Sequence, residues 1–131
     1  MQREIKFRFW DTTNNKFDTD IGIYNDGNLG DFSECFHNNS GKNGQYYVVQ
    51  QYTGLKDKNS KEIYEGDIIH YYNDDSYTIT DEVLVCKYSP NNAWFTFNEN
   101  SDEEDNGYYW LEIRNLCEVI GNIFENPDLI K

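Results

Sequence analysis

The sequence predicts an all-β fold with minor helix, in which a partly open SH3-like barrel follows an N-terminal region of β-hairpins. The 131 residues include 11 Tyr, 8 Phe and 3 Trp, and aromatic side chains fit pleated, half-buried strands better than helices. Short apolar or alternating runs recur between turn-forming residues at intervals of about eight to twelve residues, a spacing typical of barrels and sandwiches. No stretch keeps a helical apolar period through several turns, so little helix is expected.

Residues 1–50 are predicted to form β-hairpins whose order the sequence leaves open. Residues 4–10 alternate between apolar and charged side chains, with Ile5, Phe7 and Phe9 on one face, which predicts a strand with one buried face. The remaining signals are, in chain order, a turn at 11–16, a strand at 21–24, a tight turn at Asp26-Gly27, a loop at 28–42, a tight turn at Asn43-Gly44 and a strand at 45–52.

Residues 51–131 are predicted to form the barrel-like region of a single domain that spans residues 1–131. The stretch 51–69 leads into this region through a polar turn and the corner Glu65-Gly66-Asp67, after which Ile68 and Ile69 open a new apolar run. A short strand, a Gly-Asp turn and a new apolar strand resemble the diverging turn that begins many SH3-like barrels. Later strands are expected, after a break at 73–76, at 82–88, 93–97, 108–113 and 116–124.

The chain is strongly acidic, with 11 basic against 24 acidic residues and a formal net charge of −13. Such a charge repels phosphate backbones, so nucleic acid is not expected as a partner, and the simplest interpretation is that acidity confers solubility. Neither the N-terminus nor any later run is apolar over a membrane-spanning length. Cys35, Cys86 and Cys117 form no Cys-x-x-Cys pair, so reduced thiols in a soluble, cytoplasmic protein are expected.

No catalytic constellation is evident, and the chain is predicted not to be an enzyme and to bind no cofactor. No Ser or Cys stands in the sequence context of an activated nucleophile. Cys35 and His37 could contribute to a zinc site, but no second pair completes it, and His70 is interpreted as a strand residue.

One acidic loop invites comparison with a calcium site. Asp102, Glu104, Asn106 and Glu112 place oxygen ligands around Gly107, as a Ca²⁺ loop requires. However, Glu112 comes at the eleventh position, where such loops use the twelfth, and the flanks are predicted strands rather than helices. An acidic, solvated loop is therefore favoured over metal binding.

Lysines cluster beside tyrosines in the central stretch. Lys56, Lys58 and Lys61 lie close in sequence to Tyr52 and Tyr64, and such a surface could stack and neutralise single-stranded nucleic acid. A solvated turn is the favoured interpretation, because lysines are common in turns.

Four segments together resemble the YopX family, small proteins encoded by phages and prophages of Gram-positive bacteria. They are Ile5-Lys6-Phe7-Arg8-Phe9-Trp10-Asp11, the run from Tyr52 to Asn59, the run from Glu62 to Ile69, and the run from Val119 to Pro127. The resemblance implies a mainly β, partly open barrel of phage origin in the host cytoplasm, and it carries over no catalytic or cofactor residue. Ser60 stands where the family usually has Gly, so a different type of turn is expected there.

The expected function is that of a non-enzymatic phage accessory protein acting through protein–protein contacts, with a host or phage partner or as a homo-oligomer. One alternative is an acidic DNA mimic that inhibits a host nucleic-acid-binding protein, and another is a single-stranded nucleic-acid-binding module. The candidate interaction surface comprises Tyr52, Lys56, Asp57, Tyr64, Glu65 and Asp67. A competing explanation is structural: Gly54 and Gly66 permit turns, while Tyr52 and Tyr64 pack in the core.

Overall fold

The structure is a computed structural model that describes residues 4–18, 47–89, 94–98, 108 and 110–130. Strands dominate these residues and helix is almost absent, which confirms the all-β prediction. The strands are β1 (Phe7–Asp11), β2 (Lys16–Asp18), β3 (Tyr47–Lys56), β4 (Glu62–Tyr64), β5 (Asp67–Asp74), β6 (Ile79–Ser89), β7 (Trp94–Asn98) and β8 (Cys117–Asn122). A single turn of α-helix, α1 (Trp110–Ile113), and a 3₁₀ turn (Pro127–Ile130) complete the described elements.

The chain divides into two compact units, one comprising Lys6–Gln51 and the other Met1–Ile5 with Tyr52–Lys131. The organisation as one domain stays a prediction. The expected strand at 21–24, the turns at Asp26-Gly27 and Asn43-Gly44 and the loop at 28–42 lie outside the described residues. No helix in the described ranges is both long and apolar enough to cross a membrane.

In the smaller unit, β1 pairs antiparallel with β2 on one side and with the first half of β3 on the other. The predicted strand at 4–10 is confirmed only from Phe7, and Ile5, which was expected on the buried face, is 69% exposed. The turn after β1 depends on Asp11, whose carboxylate accepts hydrogen bonds from the backbone N–H groups of Thr13 and Asn14. The Asn14 side chain also donates to Asp11, and this bond and the backbone bonds lower the pKa of that carboxyl.

In the larger unit, four antiparallel strands lie in the order β7-β6-β5-β8. The second half of β3 pairs with β4, which ends at Tyr64, whereas β5 begins at Asp67 and pairs with β6 and β8. The predicted sequence of short strand, Gly-Asp turn and new apolar strand is therefore confirmed. The core of this unit is formed by Ile63, Ile69, Tyr71, Leu84, Cys86, Phe95, Phe97, Ile113 and Cys117.

The prediction of a strand over 108–113 is wrong. Tyr108 makes one isolated bridge with Phe97, after which α1 begins at Trp110. A single helical turn places residues three apart on the same side, and it thereby brings Trp110 against Phe97 while Ile113 is fully buried. Asn115 then adopts a positive φ of 66° and ends the turn, so that β8 starts at Cys117.

Candidate interaction surface

Asp57 is a buried carboxylate in the stretch 51–69. Although only 6% exposed, its carboxylate accepts three backbone hydrogen bonds, from the N–H groups of Asn59 and Lys61 in its own turn and of Val119 in β8. All three distances are 2.8–2.9 Å, typical of charge-assisted bonds. Asp57 therefore shapes the turn between β3 and β4 and attaches it to β8.

Asp67 has a similar role one turn later. It is 2% exposed and its Oδ2 accepts a hydrogen bond of 2.8 Å from the backbone N–H of Tyr64. Gly66, between them, has a φ of 85°, a conformation that glycine adopts without a steric cost. Its N–H donates to the carbonyl of Cys86, and its own carbonyl accepts from the N–H of Ile123.

These bonds bring three of the four family-like segments together. Asp57 belongs to the segment from Tyr52 to Asn59, and Gly66 to the segment from Glu62 to Ile69. Their partners Val119 and Ile123 belong to the segment from Val119 to Pro127. Residues that are far apart in sequence are thus joined by hydrogen bonds from backbone N–H groups, one to the Asp57 carboxylate and one to the Gly66 carbonyl. The segments that resemble the YopX family therefore stabilise the larger unit by bonding to one another.

The structure places the six candidate surface residues in different environments. Tyr52 is 3% exposed and its ring lies 5.3 Å from that of Tyr64, which is half-buried, as a packing role requires. Asp57 and Asp67 are buried, Lys56 is exposed, and Glu65 is half-buried in the turn. Desolvation by this burial raises the pKa of the Glu65 carboxyl.

The lysine cluster is less open to nucleic acid than its sequence suggests. Lys58 lies 3.5 Å from the carboxylate of Glu118, so part of its charge is already balanced within the chain. With a ring that is 3% exposed, Tyr52 offers no face on which a base could stack. Lys56 and Lys61 are exposed.

A different surface lies on the hairpin formed by β5 and β6. Residues directly opposite in an antiparallel pair point to the same side of the sheet, and His70 pairs with Val83, Tyr72 with Asp81 and Asp74 with Ile79. We call these six residues the hairpin face. Two contacts between its members confirm that they share one side: Nε2 of His70 is 2.6 Å from Oδ1 of Asp81, and its ring is 6.5 Å from that of Tyr72.

The hairpin face carries exposed apolar side chains. Ile79 is 65% exposed and Tyr72 is 44% exposed, whereas Ile69, Tyr71 and Leu84 on the opposite side are at most 5% exposed. One side of the hairpin therefore packs in the core of the larger unit, and the other presents an isoleucine and a tyrosine to solvent.

The turn that joins β5 to β6 adds a third apolar group. Tyr77 is 97% exposed, yet its backbone is fixed, because Oδ1 of Asp75 accepts hydrogen bonds from the N–H groups of Tyr77 and Thr78. The Asp75 N–H in turn donates to the carbonyl of Thr78. The same backbone bonds lower the pKa of the Asp75 carboxyl, which stays ionised through the neutral range.

The hairpin is also uniformly acidic. Between residues 70 and 83 the sequence contains Asp74, Asp75, Asp81 and Glu82 and no Lys or Arg. This surface combines three exposed apolar side chains with carboxylates, a composition suited to contact with a basic, partly apolar surface.

Sequence reasoning missed this surface, although a signal was present. In residues 70–74 the two alternating sets each contain a tyrosine, and in residues 79–83 the set with Ile79 and Val83 is the more apolar one although Ile79 is exposed, so the pattern alone does not show which set is buried. Tyr77, between turn-forming residues, was the plainest sign of an exposed aromatic.

No group of three or more His, Cys, Asp or Glu side chains suited to a metal ion occurs within the described part of the chain. Glu112 is exposed on α1, while Asp102, Glu104 and Asn106, like Cys35 and His37, lie outside that part. The calcium alternative thus stays a hypothesis. Cys86 and Cys117 are buried thiols outside any disulfide.

Comparison with known proteins identifies relatives. The solved structure of protein EF1440 from Enterococcus faecalis is similar, with a TM-score of 0.65 and 26% sequence identity, over 99% of this chain and 100% of that one. No curated protein matches significantly. The model of the family described as YopX protein matches residues 6–131, which bears out the resemblance seen in the four sequence segments. Since the match covers nearly the whole chain, the protein belongs to the YopX family.

Proposed function

We propose that this YopX-family protein is a non-enzymatic accessory protein of a phage or prophage, and that it acts by binding another protein through the hairpin face and Tyr77. The observation that carries the proposal is the exposure of Tyr72, Tyr77 and Ile79 at one end of a single hairpin. Exposed tyrosines that become buried when a partner binds frequently supply much of the binding free energy of a protein interface.

The rigidity of this hairpin supports the proposal. Tyr72 and Ile79 are fixed by a regular antiparallel pairing that extends from Ile68 to Asp74, and the backbone at Tyr77 is fixed by Asp75. Groups that are ordered before association lose less conformational entropy when a partner binds. A preformed hairpin is therefore well suited to present these side chains.

The charge supports a basic partner. A net charge of −13 accelerates encounters with positively charged surfaces and opposes self-association. A host or phage protein with a basic surface fits this field better than a second copy of the chain.

Capture from the lysate of a Gram-positive host, read by mass spectrometry, tests the proposal. The bait is the full tagged chain, compared with a variant carrying Tyr72→Ser, Tyr77→Ser and Ile79→Thr. A control variant carries Tyr88→Ser and Ile5→Thr, because Tyr88 and Ile5 are exposed to similar extents, 42% and 69%. We expect a protein that the wild type and the control retain and the hairpin variant loses. Retention of no protein by the wild type, or equal retention by all three baits, would overturn the proposal.

A second candidate, favoured by the net charge of −13, is a DNA mimic that occupies the nucleic-acid site of its partner. In that case the captured protein binds nucleic acid, and duplex DNA displaces it from the bait, as does high salt. A complex that persists in excess duplex DNA contradicts mimicry but leaves binding through the hairpin face intact.

A further inference from the structure

The apolar and acidic side chains of the hairpin face are arranged as a checkerboard. Along β5, Tyr72 is followed on the same side by Asp74, and along β6, Ile79 is followed by Asp81. Across the strands, Tyr72 faces Asp81 and Asp74 faces Ile79. Each apolar side chain therefore has an acidic neighbour along its strand and another across it, and the two apolar groups lie on one diagonal, close enough to be contacted together.

From this arrangement we propose that the hairpin face binds a cationic amphipathic segment of the partner protein, in which Leu-like and Lys- or Arg-bearing positions alternate over a surface of matching size. This inference rests on the proposed function and adds the chemistry of the partner. Apolar side chains of the segment cover Tyr72 and Ile79, while its cations approach Asp74 and the Oδ2 atom of Asp81, whose Oδ1 is bonded to Nε2 of His70.

Charge decides among the other possible occupants. A second copy of this chain would bring Asp74 and Asp81 against carboxylates of like charge, which costs free energy. Nucleic acid and anionic lipid are repelled for the same reason. A cationic protein segment is the occupant that satisfies both the exposed apolar area and the three exposed carboxylates, Asp74, Asp75 and Asp81.

Tyr77 extends the apolar diagonal beyond the sheet. It immediately precedes the segment that leads to Ile79, and 97% of its surface is available. The Asp75 carboxylate that fixes this turn remains charged while it accepts the two backbone bonds, so the turn also attracts cations. The surface therefore continues from the strands into the turn with the same chemistry.

The test measures binding of a fluorescent synthetic peptide of leucine and lysine in an amphipathic helical period to the full-length protein, by anisotropy at low salt. Two comparison peptides separate the contributions: glutamate replaces lysine in one, and serine replaces leucine in the other. We expect the leucine–lysine peptide to bind, the leucine–glutamate peptide not to bind, and the serine–lysine peptide to bind at least about tenfold more weakly, because it buries no apolar surface.

Variants of the protein localise the binding. We expect the pair Tyr72→Ser and Ile79→Thr to weaken binding of the leucine–lysine peptide roughly tenfold and Asp74→Asn to weaken it severalfold. Matched changes at Tyr88→Ser, Ile5→Thr and Glu112→Gln, all at exposed residues, leave it unchanged. Thermal melting of each variant confirms that the fold is retained.

Two outcomes would overturn the inference: equal binding of the serine–lysine peptide, which means attraction by net charge alone, or equal weakening by the hairpin and the control variants. Either result leaves the proposed function standing if the lysate capture still depends on the hairpin residues. Conversely, peptide binding as expected without any captured protein would retire the proposed function while preserving the surface chemistry.

Discussion

At the scale of single residues, four buried polar side chains in the described part of the chain bond to the backbone of turns. Asp11, Asp57, Asp67 and Asn122 are at most 7% exposed, and each accepts at least one hydrogen bond from a backbone N–H group near it in sequence. A buried carboxylate is tolerated when such bonds replace its hydration. Much of the acidity in the family-like segments is therefore structural.

Asp57 gives the strongest prediction of this kind. Replacement by Ala removes the acceptor of three backbone N–H groups, including that of Val119, 62 residues away in the sequence. We expect Asp57→Ala to lower the free energy of unfolding by about 3 kcal/mol, because charged acceptors are worth more than neutral ones and the abandoned donors are partly buried. Urea denaturation followed by tryptophan fluorescence measures the change.

Two controls make the Asp57 experiment specific. Asp74→Ala removes an exposed carboxylate, and we expect it to change the free energy of unfolding by less than about 0.5 kcal/mol. Asp57→Asn keeps one acceptor oxygen and should fall between the two. A loss at Asp57→Ala no larger than that at Asp74→Ala would show that the carboxylate does not support the turn.

Ser60 gives a prediction of opposite sign. Its φ of 65° lies in the left-handed region, which costs a residue with a Cβ about 1 kcal/mol relative to glycine. Ser60 thus adopts a backbone conformation that glycine would favour, while the expectation that serine changes the type of turn stays a prediction. We expect Ser60→Gly to raise the free energy of unfolding by about 0.5–1 kcal/mol.

The neighbouring Asn59 provides the matched control for Ser60. Asn59 is exposed and is not among the residues with a positive φ, so glycine there only increases the freedom of the unfolded chain. Asn59→Gly should destabilise by roughly 0.5 kcal/mol. Equal effects of the two substitutions in the same urea titration would contradict the strain argument.

Titration of the Cys117 thiol should make the free energy of unfolding depend on pH in the alkaline range. Desolvation by burial, aided by the charge of Asp57, raises the pKa of this thiol from 9.0 to about 11. The unfolded chain therefore loses its thiol proton first, and the stabilising contribution of the neutral thiol is present below pH 9 and lost as the pH rises through about 11.

The measurement compares wild type and Cys117→Ala across this range. At neutral pH the variant is less stable, because a fully buried side chain has been shortened. We expect the difference in free energy of unfolding to shrink between pH 9 and 11. A difference that stays constant with pH would show that the folded and unfolded thiols titrate alike.

At the scale of elements, the two sides of the β5–β6 hairpin should respond differently to the same substitution. Ile69 is fully buried and Ile79 is 65% exposed. We expect Ile69→Thr to cost about 3 kcal/mol, because it shortens a core side chain and buries a hydroxyl, and Ile79→Thr to cost less than about 0.5 kcal/mol. Urea titrations of both variants measure this, and a large loss at Ile79→Thr would show that the hairpin face is packed in the isolated chain.

How far the elements could be predicted depended on how local their determinants are. The runs around β6 and β7 and the corner at Gly66 carry their own strand and turn signals, and they were placed correctly. The turn α1 carries none, because a four-residue helix has no period to detect, and it forms where Ile113 reaches the core. The bond between Asp57 and Val119 could not be predicted either, since nothing near Asp57 specifies a partner in β8.

The candidate site was predictable only in part for the same reason. Tyr52, Asp57 and Asp67 stood out because they lie in family-like segments, yet burial removes them from the surface. Exposure of Tyr72 and Ile79 follows from the register of β5 against β6, and register depends on which face the rest of the chain covers. That information belongs to the tertiary structure.

At the scale of the whole molecule, the dominant property is an unbalanced charge of −13. The folded chain holds its carboxylates closer together than the unfolded chain does, so self-repulsion lowers the free energy of unfolding. Salt weakens this repulsion by shortening the screening length from about 30 Å at about 0.01 M to about 8 Å at about 0.15 M. Sodium chloride should therefore stabilise the protein by about 1 kcal/mol over this range.

Urea denaturation at increasing sodium chloride measures this effect, and Asp74→Lys is the informative variant. It changes the net charge by two units at an exposed site among like charges, so its stability should exceed that of the wild type at low salt and converge with it as salt is added. Asp74→Asn, which changes the charge by one unit, should show about half of the difference. If stability falls with salt, or if the variants keep a constant offset, specific ion pairs rather than the summed charge control the stability.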